Sequence, residues 1–128
     1  MGTVRWLSGI TTLLVLLQAA LIGQALYLGE MSLLSLHGWL GSGSFVLALL
    51  LTGAILLTIQ RGDLPRSALV HGIIVVVLMV AQLGLGYMGR RGGWPAAIHI
   101  PNGVLIASLL SALLASTFLA PRALAHRS

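Results

Sequence analysis

Two histidines in this chain are each followed four residues later by a glycine: His37 with Gly41, and His99 with Gly103. On a helix, positions i and i+4 share one face. An imidazole beside a position without a side chain offers a nitrogen to grip a metal and room for a flat ligand to approach the backbone. Two neutral imidazoles on opposite walls of a bundle can hold one haem iron from both sides. Zinc suits these residues less well. It takes about four N, S or O ligands, and this part of the chain has no cysteine and one acid, Glu30. The face beyond His37 continues as Ser44, Ala48 and Thr52, and the face beyond His99 as Ile106, Leu110 and Leu113. The competing reading is packing. Small residues at this spacing let membrane helices come close, and a histidine near a helix end can simply bond a carbonyl. Pro101 favours a helix start or kink beside His99, which puts that residue in the first turns or in the loop before them.

Other polar residues bear on the same question. Arg90, Arg91 and Trp94 precede His99 in a glycine-rich stretch. The arginines can pair the two propionates of a bound haem in bidentate fashion, or lie solvated against lipid phosphates. His71 falls on an interior-like face with Val75, Leu78, Gln82 and Gly86. A second haem there is not expected, because the first helix offers no opposing ligand; His71 capping a hydroxyl, or lining a quinone pocket near Trp6, are the alternatives. His126 follows Pro121 and falls in a tail. Gln18, Gln24 and Gln82 read as interhelical hydrogen-bond partners. The run Gly84, Gly86, Gly89 is not a dinucleotide fingerprint, since no strand precedes it. No nucleophile–base–acid set, phosphate-binding loop or acidic metal cluster is present, so a stand-alone enzyme is not the expectation.

The elements that position these residues are plain from composition. Of 128 residues, 58% are hydrophobic and 7% charged, against about 25% charged in a soluble domain. The stretches 6–28, 33–59, 67–88 and 98–120 contain no Asp, Glu, Lys or Arg. Each reaches the roughly 20 residues that a helix needs to cross a bilayer, and in lipid only a helix satisfies such a backbone internally. The first stretch is about twice a signal peptide's apolar region and reads as a retained span. The expected fold is therefore all-α: a single domain over 1–128, an integral membrane up-down-up-down four-helix bundle with helices near 6–28, 33–59, 67–88 and 96–120. The connections 29–32, 60–66 and 89–95 are short, which forces antiparallel neighbours. With no cysteine, disulfides, iron–sulfur ligation and covalent haem attachment are excluded.

Arg5, Arg61, Arg66, Arg122 and Arg127 collect at one end, and Arg90 and Arg91 with Glu30 at the other. By the positive-inside rule both termini are expected to face the cytoplasm. The net charge of +5 thus sets topology and gives no reason to expect nucleic-acid binding. Trp6, Trp39 and Trp94 lie near span ends, as interfacial anchors do.

The two halves of the chain echo each other. Gln18, then Tyr27-Leu28-Gly29, then His37-x3-Gly41 is answered by Gln82, Tyr87-Met88-Gly89 and His99-x3-Gly103. This reads as a helical hairpin repeated in parallel about an axis along the membrane normal. The second and fourth helices then run the same way and sit diagonally, with His37 and His99 at one depth near the outer face.

That layout resembles one half of haem A synthase, a four-helix bundle with a histidine on its second and fourth helices around a b-type haem. The synthase repeats the bundle and uses acidic and arginine motifs that this chain lacks, so the resemblance implies ligation of haem by His37 and His99 and not the synthase reaction. Over nearly its full length the chain is also similar to a family of small four-helix bacterial membrane proteins of unknown function, on the stretches Leu36-His37-x3-Gly41 and His99-Ile100-Pro101-Asn102-Gly103. The expected function is that of a b-type cytochrome carrying one bis-histidine haem b for electron transfer, as a subunit of a larger membrane redox complex. The alternative is a non-redox accessory subunit that packs on a larger complex or on copies of itself.

Overall fold

A computed structural model describes residues 1–125, with side chains described as far as Leu119. Four helices make up the fold: α1 (Gly2–Leu28), α2 (Met31–Gln60), α3 (Ser67–Met88) and α4 (Trp94–Ala125), with a single 3-10 turn at Gly89–Arg91 before α4. All four are long and apolar enough to cross a membrane.

The helix ends follow local chemistry. α1 stops at Gly29, which takes the left-handed conformation (φ 69°) that glycine adopts without a Cβ penalty. The Gly29 and Glu30 amides both donate to the Ala25 carbonyl, so the turn satisfies a helix end within two residues. Gly92 and Gly93 both have positive φ and reverse the chain ahead of α4. The helices overrun the charge-free stretches. α1 begins at Gly2, not at 6, and carries Arg5 inside its second turn. α2 begins at Met31, and α4 at Trp94. A charge near a span end does not stop a helix whose backbone bonds are already being made, and Pro95 fits the first turn of α4, where an amide has no helical partner anyway. Pro101 lies within α4, so His99 is in a helical turn and not in the loop.

α1 packs on α2 and α4, and α3 packs on α2 and α4; neither diagonal pair makes close backbone contact. The square order follows from the short connections, and α2 and α4 are diagonal. At the middle of the square lie Ala48, Leu51, Ile55, Val75, Met79, Ile106, Leu110 and Leu113. α2 and α3 meet closely at Gly72, where a Cβ would stand 3.1 Å from Thr52 Oγ1 and 3.3 Å from Ile55 Cδ1.

The interior also holds hydroxyls. Ser8, Thr11, Thr12, Ser44, Thr58 and Thr117 are buried. Each donates to a carbonyl three or four residues earlier in its own helix. That bond satisfies the hydroxyl without a partner from another helix. At the same end, one Arg5 terminal nitrogen donates to the Thr117 carbonyl (2.8 Å) and its guanidinium lies 4.1 Å over the Phe118 ring, tying α1 to α4. The outward faces are Leu, Val, Ile and aromatic residues, Leu13, Val77 and Val104 each being at least 60% exposed.

Core and outer apolar positions thus differ in what they contact, and this can be tested. Leu110→Ala, at a fully buried position, is expected to cost about 2–5 kcal/mol through the cavity it leaves, read from unfolding in detergent micelles. Leu119→Ala, at an exposed position, is expected to change stability by less than about 0.5 kcal/mol. Equal losses would contradict the bundle packing.

Candidate functional site

His37 and His99 occupy the second turns of α2 and α4, at the end of the bundle where those two helices begin. Their rings meet across the interior, with centroids 6.0 Å apart and planes inclined by 65°. No wall of side chains separates them.

The same contact holds each ring. His37 Nδ1 lies 3.1 Å from the Gln18 carbonyl of α1, and His99 Nδ1 lies 3.1 Å from the Gln82 carbonyl of α3. A carbonyl only accepts, so each ring nitrogen must donate, and the proton sits on Nδ1. That assigns the tautomer. Both Nε2 atoms carry a lone pair, the form in which imidazole binds a metal, and the Nδ1–H to carbonyl bond is the usual outer support of a metal-bound histidine. Each Gln carbonyl serves its own helix with one lone pair and the histidine with the other.

The glutamine side chains complete the surroundings. Gln18 Nε2 donates to Ser44 Oγ on α2 (2.9 Å). Gln82 Nε2 reaches His99 Nε2 (3.2 Å), while Asn102 Nδ2 donates to Gln82 Oε1 (2.6 Å) and to the Leu78 carbonyl (3.0 Å). The paired glycines make room for these amides. A Cβ on Gly41 would stand 3.2 Å from Gln18 Oε1, and one on Gly103 would stand 3.0 Å from Gln82 Nε2. Gly86 does the same for the ring itself: a Cβ there would lie 2.9 Å from His99 Cε1.

The arginines stay outside this pair. Arg90 and Arg91 are exposed in the turn after α3, and the Arg90 guanidinium lies 5.1 Å from the centre of the exposed Tyr87 ring. They follow Gly86 by four and five residues, in the turn between α3 and α4. Gln24 is on the exposed outer surface of α1, so of the three glutamines only Gln18 and Gln82 act between helices. His71 lies toward the other end. Its Nε2 is buried with no hydrogen-bond partner among the described residues, and the residue borders a cavity of about 200 Å³ with Leu64, Pro65, Ala68, Leu113 and Ser116. His126 is outside the described residues. Among the described residues no three His, Cys, Asp or Glu side chains come together, so the donor set at the site is two imidazoles.

Asn102 and Gly86 were not singled out as site residues by spacing alone. The signal for the glutamines was present: Gln18 precedes His37 by 19 residues and Gln82 precedes His99 by 17, which is one helical hairpin. Nothing in the sequence marks which glutamine amide bonds to a histidine.

Compared with known protein families, with curated proteins and with solved structures, the chain matches none.

Gly86 gives a direct test of the packing around His99. Gly86→Ala is expected to displace the ring, shifting the His99 ring nitrogens in an ¹⁵N-histidine NMR spectrum and leaving those of His71 in place. Unchanged His99 resonances would contradict the contact.

Proposed function

We propose that the bundle lies in a membrane and holds one haem b between His37 and His99. The observation that carries this reading is the facing of the two rings at 6.0 Å, each with Nδ1 committed to a carbonyl. Two facing imidazoles, each with its Nε2 lone pair, are the donor set that would hold a haem iron. Space in the plane between them is set by Gln18 and Gln82, whose side chains lie over Gly41 and Gly103. A macrocycle would need those two flexible side chains to turn away from the glycines they now cover.

Haem bound in this way supplies one-electron transfer. The chain's own part is to hold and orient. The Gln18 and Gln82 carbonyls fix the imidazole tautomers and raise their basicity. The apolar core below, from Ala48 and Ile106 onward, excludes water from the inner side of the site. Arg90 and Arg91, in the turn after α3, would pair the carboxylates of the bound group. A single site near one face cannot carry electrons across a bilayer by itself, so the reading assigns the protein to a larger redox assembly or to an oligomer, with a quinone as a possible electron partner.

The test is optical. Protein purified with haem supplied is expected to show low-spin b-type bands that sharpen on reduction with dithionite, and His37→Ala and His99→Ala are each expected to abolish them. A colourless wild-type protein would overturn the proposal and leave the accessory-subunit reading. Orientation is tested separately. The chain has no cysteine, so single cysteines report cleanly. Ser32→Cys is expected to react with an impermeant maleimide on intact spheroplasts, and Gly2→Cys only after permeabilisation. The reverse pattern would invert the topology.

A further inference from the structure

The two halves of the site are alike in how the ring is held and unlike in what the glutamine amide does. In the first half Gln18 is drawn away to Ser44, and among the described residues no donor is placed on His37 Nε2. In the second half the residue corresponding to Ser44, counted from the histidine, is Ile106, which cannot hold an amide. The residue corresponding to Leu40 is Asn102, and Asn102 grips Gln82 Oε1 at 2.6 Å while anchored to the Leu78 carbonyl at 3.0 Å. That grip turns the other end of the Gln82 amide, its N–H, onto His99 Nε2. Both ends of the amide are satisfied, and the second lone pair of the ligand pair is spent.

We infer that Asn102 and Gln82 form a latch that occupies the metal-binding nitrogen of His99 in the empty bundle, so that His37 is the ready ligand and His99 the gated one. The inference rests on the reading of His37 and His99 as the axial pair, and it assigns Gln82 and Asn102 as positioning residues that act on the affinity and order of ligation. Ser44 is their counterpart in the first half, where it keeps the Gln18 amide off His37. The latch pairs His99 Nε2 in the empty protein, where an unpaired imidazole nitrogen away from water is costly.

The test compares haem uptake and ring chemistry in the same variants. Detergent-solubilised apoprotein is titrated with hemin and followed by absorbance. Asn102→Leu, which restores the residue found in the first half, and Gln82→Leu are each expected to bind hemin about fivefold more tightly, the worth of one neutral hydrogen bond that need no longer be broken. Ser44→Ala frees the Gln18 amide to reach His37 and is expected to weaken binding. In the haem-free proteins, ¹⁵N-histidine NMR is expected to show the His99 Nε2 resonance moving downfield in Asn102→Leu and Gln82→Leu, as its hydrogen-bond donor is lost, with Nδ1 still protonated. Hemin affinity unchanged or lowered in both latch variants, with a folded spectrum, would overturn the latch. If wild type and variants alike take up no hemin, the haem reading falls, and the NMR arm alone decides the latch: a His99 Nε2 shift supports it, and an unmoved resonance refutes it.

Discussion

The structure depends on a bond made twice: an imidazole Nδ1–H given to the carbonyl of a glutamine on the preceding helix. It ties α1 to α2 through Gln18 and His37, and α3 to α4 through Gln82 and His99. In a bundle with few other polar contacts between helices, it fixes the rotation of α2 and α4 about their own axes. It also fixes the tautomer, and with it the ring nitrogen, Nε2, that carries the lone pair. Once the square packing makes α2 and α4 diagonal, the two rings can only face each other.

Below this level the interior is quiet. Hydroxyls bond within their own helices, and the centre is closed by Leu51, Ile55, Ile106 and Leu110. Polar bonds that cross between helices concentrate at the histidine level and at the Arg5–Thr117 contact near the opposite end. Polar groups in an apolar medium are costly unless paired, and here the pairs join neighbouring helices, α1 to α2 and α3 to α4, at one shared level. The near-repeat explains how two matched imidazoles arise, and the exchanges at Leu40/Asn102 and Ser44/Ile106 explain why the halves are no longer equivalent.

Much of this was legible in the sequence. Four charge-free stretches gave the helices, short connections gave their order, and the spacing of His37-x3-Gly41 and His99-x3-Gly103 gave the pairing across the interior. What could not be read was the direction of side chains. Gly41 and Gly103 suggested space for a macrocycle at the backbone, whereas in the bundle that space is filled by the Gln18 and Gln82 amides. Arg90 falls in the turn before α4 by position, but its place over the exposed ring of Tyr87 depends on a rotamer. Helix ends ran past the charge-free limits because backbone bonding, not hydropathy, terminates a helix, and glycines 29, 92 and 93 mark the actual turns. Gln24 looked equivalent to Gln18 by type. It falls on the outer face because the six-residue separation carries it well over a hundred degrees around α1.

Electron paramagnetic resonance of the ferric protein, prepared with haem supplied, reads whether His37 and His99 bind one metal from opposite sides. A low-spin bis-imidazole signal that becomes high-spin or vanishes when either histidine alone is replaced is the expected result. A signal indifferent to both replacements, or no haem signal in the wild-type protein, would contradict it.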